Sequence, residues 1–392
     1  MKKLLFAAAF VCSAFPGFSQ VVPQKINDSL VVAKQGATVI LEDFLTEKFS
    51  QVNYKKVIMP GPQFLISDDP EYIRVPEAIV MQENVVPGSV RLYVYNVNGV
   101  QQPKKVETKI TAVIKNTGSS TLTLKMLRYS SQKPTTNYFL AGKNGLADYF
   151  KNTSPNMKIR VKPGRVAVLD KQLEKSVVKY DELVHGFYEF IIDQPAEISV
   201  LQTNVNSSGI DAYKRIDTVH RPRGINAGRG KFGVANYFVR ATDTLSNLTG
   251  PVSLVVADGQ NDKWVEGVEG KDQKFVRNAG NYGVMYNVEM DWKSGNNYDA
   301  LALVTWNSRA GDNKWCGGMA NTMVVSEGKF PAGIIQLPAD GLRTKKAPEA
   351  ILIQVFTKDP TKETQHISFT YSPPGASCLP TPLVFIPVKL KQ

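Results

Sequence analysis

Residues 105–130 read KVETKITAVIKNTGSSTLTLKMLRYS. Val106, Thr108, Ile110, Ala112 and Ile114 alternate with polar neighbours, and Leu122, Leu124 and Met126 resume the same period beyond the Asn116-Thr117-Gly118 corner. A period of two puts one set of side chains on one face of a strand and its neighbours on the other. The stretch therefore predicts a hairpin with one buried face. A second hairpin is expected in MKIRVKPGRVAVLD (157–170), turning at Pro163-Gly164, and a strand pair around Pro195 in FYEFIIDQPAEISVLQT (187–203).

Outward from there, short alternating runs rich in Val, Ile, Thr and Tyr are separated by Pro-Gly, Asn-Gly and similar corners. No helical period is long enough to cover a parallel sheet, which argues against a doubly wound α/β fold. The expected class is all-β, with two antiparallel β-sandwich domains, immunoglobulin-like or jelly-roll-like. Residues 71–205 form the first sandwich and 232–392 the second. Residues 20–70 are an N-terminal segment of mixed structure, in which KQGATVILEDFLTEKF (34–49) is the longer helical or mixed piece. Residues 206–231 are a basic Gly/Arg-rich connector. NYFLAGKNGLADYF (137–150) holds one short helix or an ordered loop.

The first 19 residues read as a signal peptide: Lys2 and Lys3, an apolar run from Leu4 to Val11, then Pro16, Gly17 and Ser19. The apolar run falls short of the roughly 20 residues that span a bilayer. The chain is expected to be secreted, extracellular or held at the cell envelope, without an integral membrane segment. Formal net charge is +12, and loss of Lys2 and Lys3 leaves +10. A basic surface favours an anionic envelope polymer or glycan, or else serves solubility. Cys316 and Cys378 remain after the leader is removed. In an exported chain they read as a disulfide, worth about 4 kcal/mol by loop closure, or as two buried thiols.

His185, His220 and His366 are scattered, so no metal is expected, and no cofactor motif occurs. ADGQNDKWVEGVEGKDQ (257–273) gathers Asp258, Asp262, Glu266, Glu269 and Asp272 around Trp264. Such acids could serve a carbohydrate-active enzyme or simply solvate a loop. All four tryptophans lie in the second half. Trp292 and Trp306 end alternating strands and read as core, while Trp264 and Trp315 sit among polar residues as candidates for sugar stacking. From Lys214 to Lys231 there are six bases, among them Arg221, Arg223 and Arg229, against Asp217 alone. This run is either an anion-binding element or a solvated hinge; nucleic acid is a poor partner for an exported chain. In FVRNAGNYGVMYNVEMDW (275–292) the Gly280-Asn281-Tyr282-Gly283 corner opens an alternating strand rather than a helix. It is read as a turn that frames a site, not as a phosphate cradle.

VIKNTGSSTLTLKML (113–127) resembles the hairpin of bacterial adhesion-type immunoglobulin-like domains. YFLAGKNGLADYF (138–150), RPRGINAGRGKFGVANYFV (221–239), VADGQNDKWVEG (256–267) and the segments around 280–290 and 299–319 resemble the secreted β-rich region found with copper amine oxidase N-terminal-type stalk domains in bacterial surface proteins. The resemblance implies a β fold and an extracellular or envelope location. It implies no catalytic residues, and it implies no copper, because the chain has no His-rich ligand set. The expectation is an exported noncatalytic surface protein binding an envelope polymer or glycan. A carbohydrate-active enzyme using the 258–272 acids, or a structural subunit that self-assembles through strand edges, are the alternatives.

Overall fold

The computed structural model describes residues 21–45, 49–220, 224–248, 250–270, 272–306, 317–345 and 349–390. The expected signal peptide, Arg221, Arg223, Trp315 and Cys316 lie outside them. Among the described residues the chain is mostly strand, arranged in four sheets of six, nine, four and seven strands. Four helices accompany them: α1 (Gln24–Val32), α2 (Tyr138–Lys151), α3 (Lys171–Lys175) and α4 (Gly209–Arg215). Among the described residues no helix is long and apolar enough to cross a membrane.

The three corners expected to close strand pairs carry the chain from one sheet to another instead. Strand Thr108–Asn116 pairs with Val166–Val168 and Ala196–Asn204 in the four-stranded sheet. Strand Leu122–Thr135 pairs with Lys158–Val161 and Leu183–Ile192 in the nine-stranded sheet. The corners bond to one another. The Asn116 N–H donates to the Arg165 carbonyl, the Gly164 N–H to the Asn116 carbonyl and the Thr117 N–H to the Pro195 carbonyl, each at 3.0 Å. The Asn116 side-chain amide donates to the carbonyls of Ser120 (2.7 Å) and Val161 (2.8 Å). An arch turns the strand over as it crosses, so Ile110, Ala112 and Ile114 face Leu122, Leu124 and Met126 across one core. The period of two fits either geometry; only the partners distinguish them.

Three of the four sheets are mixed rather than antiparallel. Gln63–Ser67 runs parallel to Gly88–Asn98, Asn236–Ala241 to Met285–Lys293, and Ser50–Gln51 to Val252–Leu254. Sheet membership also crosses the expected boundaries at 70 and 231. Thr38–Ile40, Ser50–Gln51 and Tyr54–Ile58 join sheets built from the second half. Arg229–Phe232, Glu266–Glu269 and Lys274–Arg277 extend the nine-stranded sheet of the first half. The helix of the N-terminal segment is α1, ahead of the 34–49 stretch, and it buries Ile26 and Leu30 against the outer face of the six-stranded sheet.

The residues 137–150 do form a helix, and it sits where the sheets meet. α2 contacts the strands Leu122–Thr135 and Leu183–Ile192 on one side and Asn321–Val325 and Gly333–Leu337 on the other. Its apolar residues Ala141, Leu146 and Tyr149 belong to a core that runs from the nine-stranded sheet into the seven- and six-stranded sheets. Glycine in a helix interior costs about 1 kcal/mol against alanine. Here two of them permit close approach: a Cβ on Gly142 would lie 2.8 Å from the Gly375 carbonyl oxygen, and one on Gly145 would overlap the imidazole of His185.

Candidate functional site

At the amino end of α2 the sheets leave an open cleft of about 700 Å³, continued by a smaller hollow of about 400 Å³ that shares Asp68, Glu71 and Tyr282 with it. Each wall has a separate origin. Strand Gln63–Ser67 ends at Asp68, and the chain turns through Pro70 to Glu71 and Tyr72 beside the strand Gly88–Asn98, which contributes Tyr95. Asn137 caps α2, accepting from the Leu140 N–H at 3.2 Å, and so fixes Tyr138 and Phe139 at the rim. Arg343, Gly375, Ala376 and Ser377 line the cleft as well. A Cβ on Gly375 would come within 2.9 Å of the Tyr93 hydroxyl, so only glycine lets the chain close in there.

The tyrosines are held by their hydroxyls. Tyr72 and Tyr138 share a hydrogen bond of 3.0 Å, and Tyr138 donates to the Asp181 carbonyl at 3.0 Å. Burial raises the pKa of Tyr72, Tyr138, Tyr95 and Tyr282, so all four remain phenols. Arg343 lays its guanidinium 4.5 Å from the centre of the Phe139 ring, and its buried Nε has no acceptor among the described residues. Asp68 is held through its N–H, which donates to the Gly228 carbonyl at 2.8 Å. Burial, then the neighbouring Glu71 and Asp69, raise its carboxyl well above the ordinary range. Among the described residues the cleft thus offers flat aromatic faces, phenol hydroxyls and the carboxyl groups of Asp68 and Glu71 beside Arg343.

The Gly280–Gly283 corner frames this cleft through Tyr282. Gly280 (φ 105°), Asn281 (φ 51°) and Gly283 (φ 72°) take the left-handed backbone that the turn requires. Buried Asn281 ties the corner to the acidic loop: its side-chain oxygen accepts from the Val265 N–H at 2.7 Å and its amide donates to the Tyr286 hydroxyl at 2.6 Å.

The acids of that loop are occupied one by one. Asp262 is buried, ion-paired with Lys56, and accepts from the Tyr286 hydroxyl and the Ala257 N–H, each at 2.7 Å. Glu269 is buried against Arg229. Glu266 and Asp272 are exposed, each 3.5 Å from a base, Arg277 and Lys274. Asp258 accepts from the N–H groups of Gln260 (3.0 Å) and Asp262 (2.8 Å); burial works against its charge, but these bonds win and its pKa is lowered. Arg229 is 1% exposed and ion-paired with Glu269, while its Nε and Nη1 have no hydrogen-bond partner among the described residues. Trp264 lies half-buried over Gly259, its Nε1 without an acceptor among the described residues. Trp292 is core, and Trp306, at the end of strand Asp299–Trp306 of the six-stranded sheet, is partly buried against the cluster that holds Ala300, Ala302 and Val304. Cys378 is disulfide-bonded next to Ser377 of the cleft wall. Among the described residues no group of three or more His, Cys, Asp or Glu is placed to hold a metal ion.

Sequence reasoning missed Asp68, Glu71, Tyr72, Tyr138 and Arg343. The run Ser67-Asp68-Asp69-Pro70-Glu71-Tyr72 carried a signal, three acids beside an aromatic at a proline turn, but the expected boundary at 70 cut through it.

No protein-family model matches the chain. Nor does any curated protein. The cleft's own chemistry therefore carries the functional argument.

Proposed function

We propose that this is an exported, noncatalytic glycan-binding protein of the cell envelope, built as two β-sandwiches in contact, with its ligand in the tyrosine-lined cleft. The observation that carries the reading is the convergence of Tyr72, Tyr138, Tyr282 and Phe139 with Asp68 and Glu71 around about 700 Å³ of open space. A sugar ring has an apolar face and an edge of hydroxyls, and this lining offers partners to both. Its phenol hydroxyls and flat rings suit a neutral glycan. The leader-like first 19 residues and the resemblance to bacterial surface regions support the location.

The test is calorimetric titration with neutral and acidic oligosaccharides. Wild type binds a neutral one, and Tyr282→Ala weakens it by about ten-fold, the loss of one aromatic contact. No heat with any neutral glycan would sink the reading. One observation favours a second reading. Asp68, its carboxyl held toward the neutral form beside Glu71, is better placed for acid catalysis of glycoside hydrolysis than any acid of the 258–272 loop. Release of reducing ends by wild type, abolished in Asp68→Asn, would establish the enzyme instead.

A further inference from the structure

The described lining of the cleft holds Asp68 and Glu71 against Arg343, yet the chain carries an excess of bases. Part of that excess gathers in a second groove, of about 450 Å³, on the outer face of the four-stranded sheet. α4 and the segment after it lie across this face, burying Ile79, Val113, Leu201 and Ala212. The groove's rim carries Lys115, Arg165 and Lys214 against one acid, Asp217. Among the described residues Lys115 and Arg165 make no ion pair, and Lys214 reaches only the exposed Asp211, at 4.0 Å.

The groove is held in shape by bonds that leave those cations out. Val219 bridges to Ile79, and the His220 N–H donates to the Ile79 carbonyl at 2.7 Å, which fastens the chain beyond α4 to the sheet. Tyr213 donates its hydroxyl to Glu197, which also accepts from the Gln82 amide at 3.0 Å. Glu197 faces Lys115 across the ladder and makes no ion pair with it; both donors bind its Oε1, so its charge partly offsets the three bases of the rim. The Tyr213 ring is thereby fixed, with the Lys115 ammonium 6.0 Å from its centre. Arg165 stands at the Pro163-Gly164 turn, whose geometry the Arg165 N–H to Lys162 carbonyl bond (3.0 Å) sets.

We propose that this groove is a second binding site, for an acidic polysaccharide whose carboxylates or sulfates pair with Lys115, Arg165 and Lys214 while one sugar face lies against Tyr213. The site is independent of the cleft. It gives part of the basic character of the chain a place.

The test uses the whole mature chain and immobilised polygalacturonate, dextran sulfate and uncharged dextran at low ionic strength. Wild type binds at least one charged polymer and not dextran; which one it prefers distinguishes carboxylate from sulfate recognition. Lys115→Gln with Arg165→Gln and Lys214→Gln weakens that binding by about ten-fold or more, three exposed ion pairs being removed. A control, Lys34→Gln with Lys104→Gln and Lys158→Gln, removes the same charge from exposed positions outside the groove and keeps binding within about two-fold. Tyr282→Ala leaves it unchanged, which separates this site from the cleft. Equal losses in the two triple variants would show diffuse attraction and overturn the proposal. So would a wild type that binds neither charged polymer, or that binds a DNA oligomer in preference to both.

Discussion

Replacing Gly145 by alanine tests how the fold positions the cleft. On a helix the substitution alone should gain about 1 kcal/mol. In this structure the new Cβ would sit less than 3.0 Å from both Cδ2 and Nε2 of His185, closer than real Cβ atoms come. The imidazole cannot retreat. It is fully buried, its Nδ1 lies 2.9 Å from the Val94 carbonyl oxygen, and the Tyr93 and Tyr95 rings stand 4.9 and 5.5 Å away. α2 must therefore lift from the nine-stranded sheet, an overpacking cost of about 3 kcal/mol. The net expectation is a loss of about 2 kcal/mol, read as a lower urea midpoint at unchanged slope. His185→Ala, destabilising by itself, makes the room; in that background Gly145→Ala is neutral or gains up to about 1 kcal/mol, a coupling that a double-mutant cycle measures. Because α2 carries Tyr138 and Phe139, Gly145→Ala also weakens ligand binding in the cleft. A Gly145→Ala protein as stable as wild type would refute the packing of α2 described above.

Three further outcomes follow from buried charge. Burial lowers the pKa of His185 to about 4, so between about pH 6.5 and 4 the unfolded chain binds a proton that the folded one refuses. Stability falls by about 3 kcal/mol as pH drops through that window, and His185→Gln removes this component from urea midpoints. Glu83 behaves oppositely: burial, aided by Glu269 and opposed by the Gly270 N–H, raises it to about 7. Its contribution is lost as pH rises from about 4.5 to 7, so Glu83→Gln is more stable than wild type at pH 8, which thermal melts check. Arg229→Ala leaves Glu269 buried and unpaired and costs about 3–5 kcal/mol, while glycan affinity per folded molecule stays within about two-fold. A lost affinity at unchanged stability would return Arg229 to the ligand site.

Much of this was legible from residue pattern. Val284, Tyr286, Val288 and Met290 alternate in sequence and are all buried on one side of the strand Met285–Lys293 or at its start. The arches were not legible, since Ile110 and Leu122 face one core whether their strands share a sheet or stand in two. Nor was the traffic of strands between halves, because Arg229–Phe232 finds its partners at Gln63–Ser67, far away in sequence. The acids of 258–272 looked available because a sequence lists charges without their partners; Lys56 lies 206 positions from Asp262. Tyr138 and Tyr72 could not be joined either, for their contact depends on how α2 lies against the sheet.

The measurement that tests the central claim most directly is the affinity of wild type, Tyr72→Ala and Tyr282→Ala for a neutral oligosaccharide, with folding checked by melting. Binding by wild type, weakened about ten-fold in each variant and insensitive to salt, is the result expected of the cleft. Undiminished binding by both folded variants would place the ligand elsewhere and contradict it.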